Sequence, residues 1–236
     1  MNVKASAAAL SLGLLSACAN VNYETTRAGT FQGDLVVVWL RDTGKAGDGT
    51  FIYVPSPRDP LTFTRPEGET RVRVIAPEMM YTDGGSIPPI GRVFNGLTPW
   101  NYGPAYMIHD WLFAARQCLN DGKTDESYRK MEEATFQDSA EIIAEAIKAL
   151  EVSKKVKKRD ISGPTVTYAV TSPFSLERWK VKGACNPVTA DDRKLALRAI
   201  GFTPEIGDIA GFRTFTNEEG AVISEPAAEV VAIFSF

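Results

Sequence analysis

The chain has 236 residues, of which 44% are hydrophobic and 23% are charged, and its formal net charge is -3. This length suits one globular domain, or one domain with an appended lobe. The composition excludes a general nucleic-acid binder, because phosphate binding requires a clustered excess of Lys and Arg.

The N-terminus predicts a membrane anchor. Residues 1–18 carry one positive charge, Lys4, and an apolar stretch too short to span a bilayer. The end of this segment, LLSAC, resembles the bacterial lipobox, in which the cysteine is lipidated and all preceding residues are removed. By that resemblance residues 1–18 are a signal peptide and Cys18 is the lipidation site. Ala19 at the next position, where an aspartate would favour the inner membrane, favours the outer membrane, facing the periplasm or the cell surface.

Three cysteines are present, and lipidation of Cys18 would leave Cys118 and Cys185. In an oxidising periplasm these two could form a disulfide closing a loop of about 67 residues. Two buried free thiols are the alternative that the sequence leaves open.

The first third of the chain predicts a small antiparallel sheet. Residues 19–30 are polar and predict a tether. The apolar run at 35–40 predicts a buried strand, and 50–54 and 71–75 also have strand character. Residues 79–104 hold five glycines and four prolines, which indicates a long irregular loop.

The second half predicts a helical hairpin followed by a separate extension. One helix starts at Pro104, and a second, long helix follows Thr124 without Pro or Gly. A short helix is expected at 189–201, and the tail AEVVAIFSF has strand character. We therefore predict an α+β fold, with a principal domain at 31–160 and a C-terminal α/β extension at 161–236.

His109 is the only histidine, and Asp110 follows it within an apolar helical stretch. A carboxylate on such a helix needs a partner. The preceding loop supplies Asp83 and Ser86, with Thr82 beside them. Thr82 and Ser86 suit turn and hydrogen-bonding roles, because the sequence around Ser86 lacks the flanking residues of a nucleophile elbow.

Helix spacing decides which later acid could reach His109. In a simple antiparallel hairpin, the residue opposite His109 lies about eight residues into the second helix. That position is near Glu132 or Glu133. Glu132 is favoured as the direct partner of the imidazole if the helix face that it shares with Asp125 looks at the first helix. Asp125 would reach His109 only if the helices cross steeply, and otherwise it is a helix-capping charge.

Three motifs carry a resemblance to a family. YTDGGSIPP at 81–89, YGPAYMIHDWLF at 102–113 and TDESY at 124–128 resemble the phage and bacterial family known as domain of unknown function 1353. The resemblance covers about residues 31–150 and implies no activity. The matching positions are Thr82, Asp83, Ser86, Ile87, Pro88, Ala105, His109, Asp110, Leu112, Phe113, Asp125 and Tyr128.

A looser similarity links the His-Asp pair to phospholipase A2. It implies His109 as the general base, Asp110 as a calcium ligand, and Glu132 or Asp125 as the acid that orients the imidazole, with calcium as the candidate cofactor. Asp83, Asp110 and Asp125 form the candidate ligand set for a metal. A catalytic zinc is disfavoured, because only one histidine and no suitable thiols are available.

Two functions remain open at this stage. In the first, an envelope-anchored lipoprotein of a bacterium or prophage uses Asp83, Ser86, His109 and Asp110 as a structural polar network that holds the loop on the helix. Such a protein would have the membrane and an envelope or phage protein as partners. In the second, a hydrolase uses His109 as base with Asp83, Asp110 and Glu132 as metal-binding or orienting groups.

Overall fold

The computed structural model describes residues 19–41, 49–69, 71–82, 102–156, 170–201, 203–216 and 219–236. Within these ranges the chain forms an α+β fold, as predicted. The strands are β1 (Thr30–Gln32), β2 (Asp34–Leu40), β3 (Thr50–Pro55), β4 (Thr62–Thr64), β5 (Val74–Ile75), β6 (Met80–Thr82), β7 (Phe212–Thr216), β8 (Val222–Pro226) and β9 (Ala228–Ser235). The helices are α1 (Gly103–Asn120), α2 (Glu126–Arg129), α3 (Phe136–Val152), α4 (Pro173–Lys180) and α5 (Ala190–Ile200), with a short 3₁₀ helix at Tyr23–Thr25.

The central sheet has four antiparallel strands in the order β6-β3-β2-β9. Its two faces are covered by different elements. Val37 and Tyr53 belong to the core that includes α1 and α3, whereas Val36 and Val38 pack into a second core with α5. Because both faces are covered, β2 reads as a continuous apolar run and not as an alternating one.

Two smaller sheets flank the central one. β1, β4 and β5 form a three-stranded sheet, and β7 with β8 forms a two-stranded hairpin. Of the predicted strand at 71–75 only Val74 and Ile75 pair with a neighbour. The sequence TVTYAV at 165–170 also predicts a strand, but only Val170 of it is among the described residues.

The expected long second helix is divided into α2 and α3, so its prediction as one element was wrong. Thr135 starts a new helix: its Oγ1 accepts a hydrogen bond from the amide of Asp138 at 3.1 Å, and the Asp138 carboxylate accepts one from the amide of Thr135 at 2.8 Å. This reciprocal capping box fixes an N-terminus at this point. The chain from Lys130 to Ala134 forms turns between the two helices.

Residues 19–30 pack against the folded domain and do not form the free tether that their polarity suggested. Tyr23 is buried, and the ammonium of Lys148 on α3 lies 4.1 Å from its ring centroid. Asn20 and Gln137 exchange two hydrogen bonds of 2.9 Å each, between the Asn20 backbone and the Gln137 side chain. The segment is therefore fixed along α3.

The C-terminal residues complete the central sheet and are not a separate lobe. β9 pairs with β2 along its whole length, with one irregularity between Val37 and Val38. The helix predicted at 189–201 is present as α5, with Thr189 capping its first turn and Gly201 following its last residue at φ 54°. A positive φ favours glycine at this position.

Candidate functional site

The His-Asp pair lies in the middle of α1. Pro104 occupies the first turn of this helix, where its missing amide hydrogen costs nothing. His109 is 9% exposed, and its ring centroid lies 4.7 Å from that of Phe113, one turn further along. The imidazole is therefore part of the protein interior.

Asp110 joins α1 to the central sheet. Its Oδ2 accepts a hydrogen bond from Thr82 Oγ1 at 3.3 Å, and Thr82 is the last residue of β6. Its Oδ1 lies 3.9 Å from His109 Nδ1, beyond hydrogen-bond distance. The hydrogen bond joins the end of β6 to the middle of α1.

The other imidazole nitrogen, Nε2 of His109, is buried and has no hydrogen-bond partner among the described residues. Leaving a buried polar atom unpaired costs about 1–3 kcal/mol. Such an atom in a native protein calls for an explanation, and binding of a ligand or a catalytic role is one of them.

Tyr106 belongs to the same face of α1, because it precedes His109 by three residues and Asp110 by four. Burial raises the pKa of its phenol, and the neighbouring Tyr102 and Asp110 raise that pKa further. The phenol is therefore neutral, and its hydroxyl has no partner within the part of the chain that is described. Sequence reasoning missed Tyr106, although its spacing from the His-Asp pair was a usable signal.

The other predicted site residues are elsewhere or outside the described ranges. Asp83 and Ser86 fall outside them. Glu132 is exposed in the turn after α2, and its backbone carbonyl accepts a hydrogen bond from Arg116 Nη2 at 2.7 Å. Asp125 is exposed at the N-cap of α2 and makes no side-chain capping bond. The break between α2 and α3 removes the helix register on which the pairing of Glu132 with His109 depended.

A second polar cluster, which the sequence analysis did not identify, lies between β4 and α3. Arg65 is 2% exposed and donates to both carboxylate oxygens of Glu145, at 2.9 and 2.8 Å. It also lies 3.4 Å from Asp138, 3.1 Å from Glu141 and 3.5 Å from Glu69. We call these five residues the Arg65 cluster. Asp138, Glu141 and Glu145 follow one another at i, i+3 and i+7 on α3, which was the signal available in the sequence.

The electrostatics of the Arg65 cluster follow from its surplus of carboxylates. Burial opposes the charge of Arg65, but the hydrogen bonds and charges of the acids outweigh it and raise the pKa of the guanidinium. Burial also raises the pKa of Glu145; Arg65 counteracts this, while Glu69 and Glu141 add to it. The cluster therefore keeps Arg65 charged and disfavours the charge on Glu145.

Only one group in the described ranges has three potential metal ligands close together, namely Glu69, Glu141 and Glu145. Arg65 contacts all three. Neither Asp110 nor Asp125 belongs to such a group there, and Asp83 lies outside those ranges. The predicted calcium site at Asp83, Asp110 and Asp125 therefore stays a prediction.

Cys118 and Cys185 form a disulfide with their Cα atoms 4.4 Å apart. It ties the end of α1 to the segment after α4, and Asp121 supports it by accepting hydrogen bonds from the amides of Gly183 and Cys185. These amides lower the pKa of Asp121. Trp179 of α4 is buried beside this link, 5.0 Å from the ring centroid of Phe113.

Comparisons with protein-family models, curated proteins and solved structures return no match for this chain. The resemblance to domain of unknown function 1353 therefore remains a prediction from its three motifs. None of the helices in the described ranges has the length and apolar character needed to cross a membrane.

Proposed function

We propose that the chain is an envelope-anchored lipoprotein in which the His-Asp helix is a structural support. The lipobox-like sequence ending at Cys18 supports the anchor. The disulfide gives a second, weaker support, because it uses the other two cysteines and belongs to an oxidising compartment. The outer membrane, facing the periplasm or the surface, is the proposed location.

The observation that carries the structural role is the hydrogen bond from Thr82 to Asp110. It joins the last residue of β6 to the middle of α1, so it holds these two elements together. A satisfied polar contact of this kind holds a segment in one arrangement without any chemistry. An envelope or phage protein is the proposed partner.

The anchor is tested by labelling cells with palmitate and measuring the mass of the purified protein. The wild-type chain should incorporate label and show an acylated N-terminal cysteine, whereas Cys18→Ser should show neither. Cys185→Ser is the matched control and should keep the label. Unlabelled wild-type protein would refute the anchor.

The structural role is tested by a double-mutant cycle of Thr82→Val and Asp110→Asn in urea denaturation. A hydrogen bond to a charged acceptor contributes about 1.5–3 kcal/mol, so each single variant should lose stability by that order. The double variant should lose clearly less than the sum of the two. Glu132→Gln, which changes an exposed acid, is the control and should leave stability unchanged. Strictly additive losses would show that Thr82 and Asp110 do not support each other.

A hydrolase is the second candidate, and the unpaired Nε2 of His109 favours it. In that function His109 is the general base, the neutral Tyr106 is a hydrogen-bond donor on the same helix face, and Asp110 would hold calcium. General bases contribute about 10²–10⁴-fold to a rate. Calcium would supply charge stabilisation for a developing oxyanion.

The two candidates predict different results for His109→Leu. A hydrolase variant should lose at least about 100-fold in the release of fatty acid from phospholipid vesicles, measured with calcium and with chelator. A structural imidazole with an unpaired nitrogen should tolerate leucine, with unchanged or slightly higher stability. Calorimetric titration with calcium, with Asp110→Asn alongside, decides whether Asp110 is a ligand.

A further inference from the structure

Residues 19 and 20 lie against the folded domain at α3. Asn20 is held there by its two hydrogen bonds with Gln137, and Ala19 packs against the main core. Consecutive Cα atoms are about 3.8 Å apart, so an anchor on Cys18 would lie one residue from this surface. A bilayer that holds this anchor would therefore lie against the end of the molecule at which α3 begins.

α4 lies at the same end of the molecule. The ring centroid of Trp179 in α4 is 6.2 Å from that of Phe136, the first residue of α3. Gln137, which holds Asn20, is the next residue along the chain. Asn20 and Trp179 of α4 therefore contact consecutive residues of α3.

The outer side of α4 combines an exposed aromatic ring with positive charge. Phe174 is 63% exposed, and the guanidinium of Arg178 lies 6.0 Å from its ring centroid. Glu177 is the one acidic residue of this helix. Three basic residues, all exposed, belong to α4 and the turn after it: Arg178, Lys180 and Lys182.

We propose that this α4 patch, Phe174 with Arg178, Lys180 and Lys182, rests on the lipid surface that carries the anchor. Aromatic rings concentrate at the boundary between headgroups and acyl chains, and basic side chains near an anionic surface are attracted to it. The positive patch stands out in a chain of net charge -3, which favours an anionic bilayer as the occupant. The proposal rests on the proposed lipidation of Cys18, since that anchor brings the bilayer to this end.

The test places a nitroxide label at Phe174→Cys in the full chain purified from bacterial membranes. Val222→Cys, on the β7–β8 hairpin and 73% exposed, is the matched control. The disulfide occupies Cys118 and Cys185, and labelling of the wild-type chain reports any free thiol at Cys18. Each protein is mixed with vesicles of phosphatidylethanolamine and phosphatidylglycerol, and the accessibility of the label to oxygen and to a water-soluble nickel complex is measured.

The label at position 174 should be more accessible to oxygen than to nickel, and the label at 222 should show the reverse. Arg178→Glu and Lys180→Glu should each weaken vesicle binding by more than about fivefold. Loss of the positive charge accounts for about fivefold, and the added negative charge weakens binding further. A label at 174 as accessible to nickel as the label at 222 would overturn the proposal, even if Cys18 is acylated. A missing lipid in the protein mass would overturn the anchor, and the accessibility at 174 would still decide whether the α4 patch contacts a bilayer.

Discussion

Replacement of Arg65 by methionine should destabilise the protein by about 3–5 kcal/mol at neutral pH, the usual cost of removing one partner from a buried ion pair. Methionine keeps much of the aliphatic volume, so the loss is chiefly electrostatic. Glu145 and Asp138, which are 5% and 2% exposed, would lose the guanidinium between them. Glu69 and Glu141 are about one-third exposed and add little, because water screens their charges.

The pH dependence of this loss has a definite sign. Burial already raises the pKa of Glu145, and Arg65 opposes that rise. Without Arg65 the folded-state pKa of Glu145 should rise further above its unfolded value. Stability from such a group is fully present below the unfolded pKa and is lost as pH rises through the folded pKa. The deficit of the variant should therefore shrink as the pH falls from neutral toward the ordinary range of a glutamate.

Urea denaturation at several pH values measures both effects. The exposed Arg27 offers a matched control, and Arg27→Met should change stability by less than about 0.5 kcal/mol. The double variant Arg65→Met with Glu145→Leu should regain most of the loss, because it removes the uncompensated carboxylate. A deficit below about 1 kcal/mol, or one that does not depend on pH, would refute this account of the Arg65 cluster.

Three further predictions concern the link between α1 and α4. Reducing the disulfide, or replacing Cys185 by alanine, should lower the free energy of unfolding by at most about 4 kcal/mol, which is the value of the chain-entropy model for a loop of this length. Denaturation with and without reductant measures this loss. Because hydrogen bonds from backbone amides lower the pKa of Asp121, its contribution to stability is present above the unfolded pKa and is lost as pH falls through the folded pKa. Asp121→Asn should therefore weaken the acid dependence of unfolding, and an NMR titration that finds the Asp121 pKa unshifted would contradict this. Trp179→Ala should cost about 3–5 kcal/mol in thermal or urea unfolding, against little for Phe174→Ser on the exposed side of the same helix.

Local patterns in the sequence predicted the elements that depend on local physics. The apolar run at 35–40 became β2, and Pro104 marked the start of α1. Thr189 and Gly201 correctly bounded α5, because an N-cap hydroxyl and a residue at positive φ act within one turn of the helix. The start of α3 was missed, although Thr135 and Asp138 have the spacing of a capping box.

Contacts between distant parts of the chain were beyond these patterns. Nothing around Arg65 in the sequence indicates that it meets the acids of α3, and nothing in residues 19–30 indicates that they pack against that helix. For the candidate site, the sequence identified His109 and Asp110 but not the hydrogen bond between Asp110 and Thr82. Thr82 was expected to have a turn or hydrogen-bonding role, with no partner named. Hydrogen-bond partners depend on how helices and strands pack against one another. That packing brings together residues far apart in the chain, so local sequence patterns do not reveal it.

The pairing of β2 with β9 has a consequence for the order in which the protein can be built. β2 is formed by residues 34–40 and β9 by residues 228–235, so the central sheet lacks an edge strand until this distant segment is available. Pairings between such distant segments form slowly, because the chain between them must first be ordered. A chain in which residues 228–235 are held away from β2 could not complete this sheet. Loss of residues 228–236 would expose the apolar edge of β2, and we expect such fragments to aggregate and not to fold as smaller domains.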